Sequence, residues 1–258
     1  MSRPWWRRLL DSWPDGRTTG DPPSANGASS FHLRWDGHGD ATEVSVTLEV
    51  LEPPTVDRLY FWALQADFAD GRGRAAGGAH LGLQWHPQYP GSTAVNWGGY
   101  DDRGAILQGT DAALPSFLGN PHTRDFEWRP GEPNRLRIAR VDHRDGSAAW
   151  RGSVTDSLGE ETVVRDLLPA GDRILGVVMW SEVFARCDHA SVAVRWSDPL
   201  RVRADGSTDA PAAYAVNYQA RAEGGCANTD SHADAVGIVQ RTNTERRTPQ
   251  GAQLAVPS

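Results

Sequence analysis

The segment "HLGLQWHPQYPGSTAVNWGGYD", from His80 to Asp101, carries the pattern that decides the fold. In its first part the apolar residues Leu81, Leu83 and Trp85 alternate with polar residues or glycine. Successive side chains of a β-strand point to opposite faces, so this spacing predicts a strand with one dry and one wet face. The proline and glycine that follow are typical of a turn. The segment therefore predicts two extended strands of a half-buried sheet.

Similar short runs recur from Phe31 to the last third of the chain, separated by clusters of Gly, Pro, Asp and Asn. Helical periodicity is nearly absent, and the best helix candidate, Asp111–Gly119, is interrupted by Pro115. About a dozen short strands with regular turns predict an all-β fold, an antiparallel two-sheet β-sandwich of the jelly-roll, concanavalin-like type. The clearest further strands are Glu43–Glu52, Arg58–Phe68, Arg135–Val141, Ile174–Phe184 and Ser191–Ser197.

Composition divides the chain into three parts. Residues 1–29 are rich in Pro, Gly, Ser and Asp, which predicts a flexible N-terminal tail. Residues 30–245 are predicted to form one β-sandwich domain, and 246–258 a C-terminal tail. A chain of 258 residues is long enough for one such sandwich.

The net charge, the apolar runs and the cysteine content limit which partners and which cellular location we expect. The formal net charge is -7, and the arginines form no basic stripe, so no nucleic-acid partner is expected. No apolar run is long enough for a secretory signal or a membrane span, which makes the cytoplasm the default location, with export left open. Cys187 and Cys226 are free thiols in a reducing compartment and a plausible disulfide in an exported protein. The oligomeric state is not indicated.

One face of the predicted sheet has the composition of a sugar-binding surface. If the strands are neighbours, amide, acid, imidazole and phenol side chains line that face together, and Trp97 and Trp128 are the candidates for exposed rings. An ordinary solvated sheet face explains the same polar residues. The candidate ligand-binding residues are Gln84, His86, Asn96, Trp97, Tyr100 and Trp128, with Gln65 and Asp67 on the same face.

No cofactor or metal site is predicted from the histidines. His80 and His86 share a face but lie six residues apart, or about 20 Å along a strand. A structural calcium ion remains an alternative, because the Asp-rich turns Asp36–Asp40 and Asp142–Ser147 have suitable oxygen ligands. Ordinary turn chemistry accounts for the same residues.

A catalytic interpretation centres on Glu182, which shares a strand face with Trp180 and Phe184. A carboxyl group between aromatic rings has the raised pKa that a glycosidase acid requires. A retaining glycosidase also needs a second carboxylate about 5–5.5 Å away. Asp67, Glu49 and Asp101 are the sequence candidates for it. The alternative is that Glu182 forms an ion pair with one of the many arginines.

Three stretches resemble uncharacterised bacterial β-sandwich domains of the concanavalin-like type. They are "GGAHLGLQWHPQYPGSTAVNWGGYD", "TRDFEWRPGEPNRLRIARV" and "GVVMWSEVF", within Leu59–Trp196. The resemblance implies a sandwich fold and, by analogy of fold, ligand or glycan recognition, with no catalytic residue to transfer.

Three functions are compatible with these patterns. The favoured one is a non-catalytic binding module, carbohydrate-directed, so the chain is expected not to be an enzyme. The first alternative is a glycan-cleaving enzyme that uses Glu182. The second is a structural or protein-interaction domain, which an exposed apolar patch would favour.

Overall fold

The computed structural model describes residues 17–37, 40–142, 148–169 and 171–257. In these ranges the backbone forms sixteen β-strands and two single-turn 3-10 helices, Pro90–Ser92 and Arg221–Glu223. In chain order the strands are β1 Ser29–Trp35, β2 Ala41–Glu52, β3 Tyr60–Ala69, β4 Ala75–Trp85, β5 Thr93–Tyr100, β6 Thr123–Asp125, β7 Pro133–Asp142, β8 Ala148–Thr155, β9 Glu161–Leu167, β10 Arg173–Val183, β11 Ala193–Arg203, β12 Thr208–Asp209, β13 Ala213–Tyr218, β14 Thr229–Ala233, β15 Ile238–Thr242 and β16 Gln253–Ala255.

The strands form two antiparallel layers. The front sheet has the order β16-β13-β1-β10-β3-β4-β5-β6, and the back sheet has the order β14-β15-β11-β2-β7-β8-β9, with β12 paired to β11. One short pairing, Ile174 with Ala41, joins the two sheets. The predicted all-β sandwich is thereby confirmed.

Large aromatic residues fill the space between the sheets. Phe68 of the front sheet contacts Trp150 of the back sheet, with ring centroids 4.8 Å apart. Trp97 is fully buried and lies over Gly152, where a Cβ atom would come within 2.7 Å of the indole. Aromatic burial of this kind supplies much of the hydrophobic stabilisation of a sandwich.

A buried amide also connects the layers. The Gln240 Oε1 atom on β15 accepts hydrogen bonds from Ser181 Oγ at 2.8 Å and from Trp196 Nε1 at 3.0 Å. Its Nε2 atom donates to the carbonyl of Phe31 on β1 at 3.0 Å. A buried polar group with its hydrogen bonds made is stable in a core and fixes the relative position of the strands that it joins.

Segments that the sequence assigns to tails contact the sandwich. The Ala227 N–H donates to Thr18 Oγ1, and the Cys187 N–H donates to the Gly20 carbonyl. At the other end of the chain, β16 pairs with β13. Cys187 and Cys226 form a disulfide, which decides between the two alternatives left open for these residues.

Two other sequence expectations have clear outcomes. Asp111–Gly119 contains no helix, because Pro115 lacks the N–H that a helix interior requires. The second expected calcium turn, Asp142–Ser147, lies outside the described residues from position 143 onward, as do positions 38 and 39 of the first. Across the described residues we find no helix whose length and apolar character would let it cross a membrane.

Candidate functional site

Strand register places the site residues on the outer face of the front sheet. Glu182 on β10 lies between Ser30 on β1 and Phe61 on β3. Four residues further along β3, Gln65 lies opposite His80 on β4. Residues that pair directly across antiparallel strands point to the same face, so all five side chains share this face.

Two adjoining depressions occupy this outer face. The first has a volume of about 580 Å³ and the second about 610 Å³, and Ser30 and His32 line both. We call the two depressions together the groove. Phe61, Trp180 and Glu182 line the first depression, and its floor belongs to a small apolar cluster separate from the main core. The second is lined by Asn217, Tyr218, Gln219, Ala220, Arg221, Glu223, Arg246 and Gln250 in addition to the shared pair.

Glu182 lies where the two depressions meet, because it pairs directly with the shared residue Ser30. Burial raises the pKa of its carboxyl group, and a hydrogen bond from Asn26 opposes that effect by stabilising the ionised form. The Asn26 Nδ2 atom donates to Glu182 Oε1 at 3.1 Å. Among the described residues no arginine forms an ion pair with Glu182, so the ion-pair alternative finds no support.

The three predicted partner carboxylates are not beside Glu182. Asp67 lies opposite Gly176, six residues from Glu182 along β10, or about 20 Å. Asp101 lies beyond the end of β5 and accepts the N–H groups of its own turn. Glu49 belongs to the back sheet and pairs with Arg195 at 2.7 Å.

Sequence reasoning missed Glu223, whose position could not be inferred from strand patterns because it belongs to a 3-10 turn. It lines the second depression and is exposed. The Gln219 side chain holds this turn against the sheet, since its Nε2 atom donates to the Glu223 carbonyl at 2.8 Å and its Oε1 atom accepts from the Ser30 N–H at 2.9 Å. Glu223 is therefore a carboxylate on the side of the groove opposite Asp67.

The far end of the first depression is a fixed polar network. The Trp180 Nε1 atom donates to Gln65 Oε1 at 3.2 Å, and Gln65 Nε2 donates to Asp67 Oδ1 at 2.9 Å. Arg34 approaches the other Asp67 oxygen at 4.0 Å. Both ends of the Gln65 amide are thereby used, which fixes its orientation.

His80 borders this network as a neutral ring. Its centroid lies 5.6 Å from that of Phe61 and 5.7 Å from that of Trp180. Burial, together with the nearby His122, lowers the pKa of His80 to about 4. His80 therefore presents an uncharged imidazole to the first depression at neutral pH.

The predicted polar ligand residues are only partly assembled. Tyr100 is 52% exposed and lines the first depression. Gln84 and Asn96 have the expected orientation in the sheet but are buried, and Asn96 Nδ2 donates at 2.9 Å to Thr123 Oγ1, its partner on the neighbouring strand β6. His86 is half-buried beside Tyr89, with ring centroids 4.7 Å apart, and does not line the groove.

The expectation that Trp97 and Trp128 are exposed is wrong. Trp97 is 0% exposed, since it alternates onto the core face of β5. Trp128 is 4% exposed; its Nε1 atom donates to the Gln84 carbonyl at 3.2 Å, and its ring meets Trp62 edge to face at 5.8 Å. Both rings are parts of the packed interior and are unavailable to a ligand.

In the part of the chain that the structure describes, no group of three or more His, Cys, Asp or Glu residues is arranged to hold a metal ion. The Asp36 carboxylate of the first Asp-rich turn accepts the Ala212 N–H at 2.9 Å. That contact gives this residue a structural role in joining β1 to the start of β13.

Sequence comparison gives no match, either to a family model or to a curated protein. Solved structures with a similar fold exist. Scytalido-glutamic peptidase in complex with a peptide-based transition-state analogue is 9% identical, with a TM-score of 0.47 over 87% of this chain and 99% of that one. SCP-B, of the eqolisin family of peptidases, is 9% identical, with a TM-score of 0.45 over the same shares. The PL-14 alginate lyase from Aplysia kurodai is 6% identical, with a TM-score of 0.25 over 56% of this chain and 69% of that one.

These comparisons correct one sequence-based expectation. The chain was expected not to be an enzyme, whereas the similar structures named above are two peptidases and a lyase. At this level of similarity the likeness concerns the all-β fold, and no residue of the groove is transferred from it.

Proposed function

We propose that this chain is a glycan-cleaving enzyme whose substrate lies along the groove, with Glu182 as the general acid. The observation that carries the proposal is the position of Glu182 at the junction of the two depressions, with a pKa raised by burial. A carboxyl group that remains protonated above its ordinary range can donate a proton to a leaving group near neutral pH.

The shape of the groove supports a polymeric substrate. Because the two depressions share Ser30 and His32, a chain can pass from one to the other across Glu182. The bond next to Glu182 is then internal to the bound polymer. This arrangement favours cleavage within the chain over removal of a terminal unit.

The lining of the groove suits sugar hydroxyl groups and sugar faces. The exposed Tyr100 ring provides an apolar face at one end, and the exposed amide of Asn217 lines the second depression. Neutral amides and an aromatic ring bind uncharged polar ligands, with the few carboxylates left for chemistry.

The water-activating group in this scheme is Glu223, the carboxylate in the second depression. Glu182 would protonate the glycosidic oxygen while Glu223 takes a proton from the attacking water. Asp67 lines the first depression about 20 Å from Glu182 along the strand, and Asp101 follows Tyr100, which is level with Asp67 in the sheet, so both are too far away for this role.

Three properties of the whole chain belong to the same proposal. We propose that the sandwich is of the concanavalin-like, jelly-roll type. We also propose that the chain works in an oxidising compartment, because the Cys187–Cys226 disulfide is of the kind that persists there. Its partner is a glycan rather than a nucleic acid, in keeping with the net charge of -7, and structural calcium at the Asp-rich turns stays a proposal.

The test is release of reducing ends from a panel of neutral and acidic polysaccharides, with a peptide panel in parallel. We expect at least one glycan to be cleaved and the rate to fall about 10²–10⁴-fold in Glu182→Gln. Glu160→Gln, an exposed turn residue distant in sequence from the groove, is the matched control. Cleavage of peptides alone would refute the substrate class, and no cleavage of either polymer would refute the enzyme.

A further inference from the structure

Arg165 on β9 is a buried cation of unusual surroundings. The residue is only 7% exposed, and its Nη2 atom donates to His122 Nδ1 at 3.3 Å. Its Nε atom is buried without a hydrogen-bond partner among the described residues. Arginine is almost never buried unless it is paired, because burial removes the hydration of the guanidinium.

A second guanidinium lies close to the first. Arg124 on β6 is partly buried; its Nη1 atom donates to the Asn120 carbonyl at 2.6 Å, and its Nε atom has no partner. Burial and the charge of Arg124 both lower the pKa of Arg165. Within the described ranges neither arginine forms an ion pair with a carboxylate. Two like charges therefore share a poorly solvated place, with no paired carboxylate among the residues that the structure describes.

His122 does not supply the missing negative charge. Its Nδ1 atom accepts the hydrogen bond from Arg165, so the proton of the neutral ring is on Nε2. The ring lies over Gly98, where a Cβ atom would come within 2.7 Å of Nδ1, so only glycine leaves room for it. Burial and the two guanidiniums lower the pKa of His122, which keeps the ring neutral.

The cluster lies where an edge of the front sheet meets an edge of the back sheet. Arg124 belongs to β6, the last strand of the front sheet, and Arg165 belongs to β9, the last strand of the back sheet. The segment between β5 and β6 passes over this place, and the Arg165 guanidinium carbon is 3.3 Å from the position of a Cβ at Gly109. These contacts hold the two arginines together from three separate parts of the chain.

We propose that Arg124 and Arg165 form a binding site for an oxyanion, that is, a phosphate, sulfate or carboxylate group. A guanidinium presents a planar set of donors that matches two oxygens of such a group, and each arginine has an Nε–H to offer. The bound anion removes the repulsion between the two cations. This site is separate from Glu182 and does not depend on the proposed cleavage.

The oxyanion has two possible sources. One is a free inorganic ion. The other is an acidic group on a glycan bound in the groove, since His80 lines the first depression and pairs with Gly98, over which the His122 ring lies. His80 lies four residues along β4 from the position level with Glu182, or about 13 Å. This second source rests on the proposed function, whereas the first does not.

The experiment measures binding of inorganic phosphate and sulfate to the intact protein by isothermal titration calorimetry, at constant ionic strength set with sodium chloride. We expect saturable binding that weakens at least tenfold in Arg165→Met and in Arg124→Gln. Arg129→Gln removes one positive charge from an exposed arginine that pairs with Glu127, and it should leave binding unchanged. If Arg165→Met does not fold, Arg124→Gln alone decides, because Arg124 is only partly buried.

A second arm separates the two sources. An oligouronate and a neutral oligosaccharide of equal length are titrated into Glu182→Gln. If this variant binds the oligouronate more tightly, and the preference disappears in Glu182→Gln/Arg124→Gln, the glycan is the source of the oxyanion. Binding of the inorganic ions without that preference identifies a free ion. Absence of saturable binding by phosphate, sulfate and oligouronate in the native protein, or equal binding in both arginine variants, overturns the site whether or not the glycan is cleaved.

Discussion

The hydrogen bond from Asn26 to Glu182 allows a quantitative test of how the protein sets the acidity of that carboxyl group. The contact joins Asn26 Nδ2 and Glu182 Oε1 at 3.1 Å and favours the ionised form against the effect of burial. A hydrogen bond to a charged group contributes about 1.5–3 kcal/mol, and the solvent exposure of Asn26 reduces this to about 1 kcal/mol. Removal of the amide in Asn26→Leu should then raise the pKa of Glu182.

Two further variants separate this effect from a change in the local turn. Asn26 also uses its Oδ1 atom, which accepts from Ser24 Oγ at 3.0 Å and from the Ala28 N–H at 3.1 Å. Asn26→Asp keeps these acceptors and adds a negative charge, so the pKa of Glu182 should rise further than in Asn26→Leu. Ser24→Ala leaves the Glu182 contact in place and should not change that pKa.

The assay is the carboxyl carbon-13 chemical shift of Glu182 followed over pH by NMR, with Glu182→Gln to assign the signal. The expected order of pKa values is native, then Asn26→Leu, then Asn26→Asp. The alkaline limb of the pH–rate profile for glycan cleavage should move in the same order, because the general acid stays protonated to higher pH. An unchanged pKa in both Asn26 variants would refute the reasoning, even if activity were lost.

Three other predictions concern stability. Burial lowers the pKa of His80 from 6.5 to about 4, so the unfolded chain binds a proton before the folded one does as pH falls. The contribution of neutral His80 to the free energy of unfolding is complete above pH 6.5, is lost by pH 4 and amounts to roughly 3 kcal/mol. In urea unfolding, the stability of His80→Asn should therefore depend less on pH than that of the native protein. The same pH dependence in both proteins contradicts this account. The disulfide closes a separation of 39 residues, so Cys187→Ser/Cys226→Ser should lose about 4 kcal/mol in urea unfolding, with no loss as the contrary result. Gly152→Ala places a methyl group about 2.7 Å from the Trp97 ring and should cost about 1–3 kcal/mol in the same assay, whereas native stability would show that the core has room.

Much of the fold follows from the sequence because side-chain alternation is a local property. The pattern of His80 to Asp101 places Leu81, Leu83 and Trp85 on one side, and the structure buries the first two completely on the core face. The same alternation puts Val95 and Trp97 in the core of the neighbouring strand. The expectation that Trp97 is exposed neglected this rule, which identified its face correctly.

The candidate site is less predictable because it depends on contacts between segments far apart in sequence. Gln84 and Asn96 point to the outer face as alternation requires, yet both are buried, and Asn96 is hydrogen-bonded to Thr123 on the neighbouring strand β6. A strand of three residues, Thr123–Asp125, gives too short a pattern to place from sequence. The solvent exposure of a polar strand face therefore depends on other segments of the chain, which the sequence of the strand itself does not specify.

The same dependence on distant segments makes Glu182 chemically distinct from other strand carboxylates. The strand face that it shares with Trp180 follows from local alternation, but its pKa is set by burial and by Asn26, which lies 156 residues away in a stretch expected to be a tail. The Gly20 carbonyl accepts a hydrogen bond from the Cys187 N–H, so this stretch is fixed against the loop that follows β10. The disulfide links Cys187, in the loop after β10, to Cys226, which is close in sequence to Glu223. The two proposed catalytic carboxylates are thus positioned by the parts of the chain with the weakest strand pattern, and loss of the Asn26 contact should alter the acidity of Glu182 before it alters the sheets.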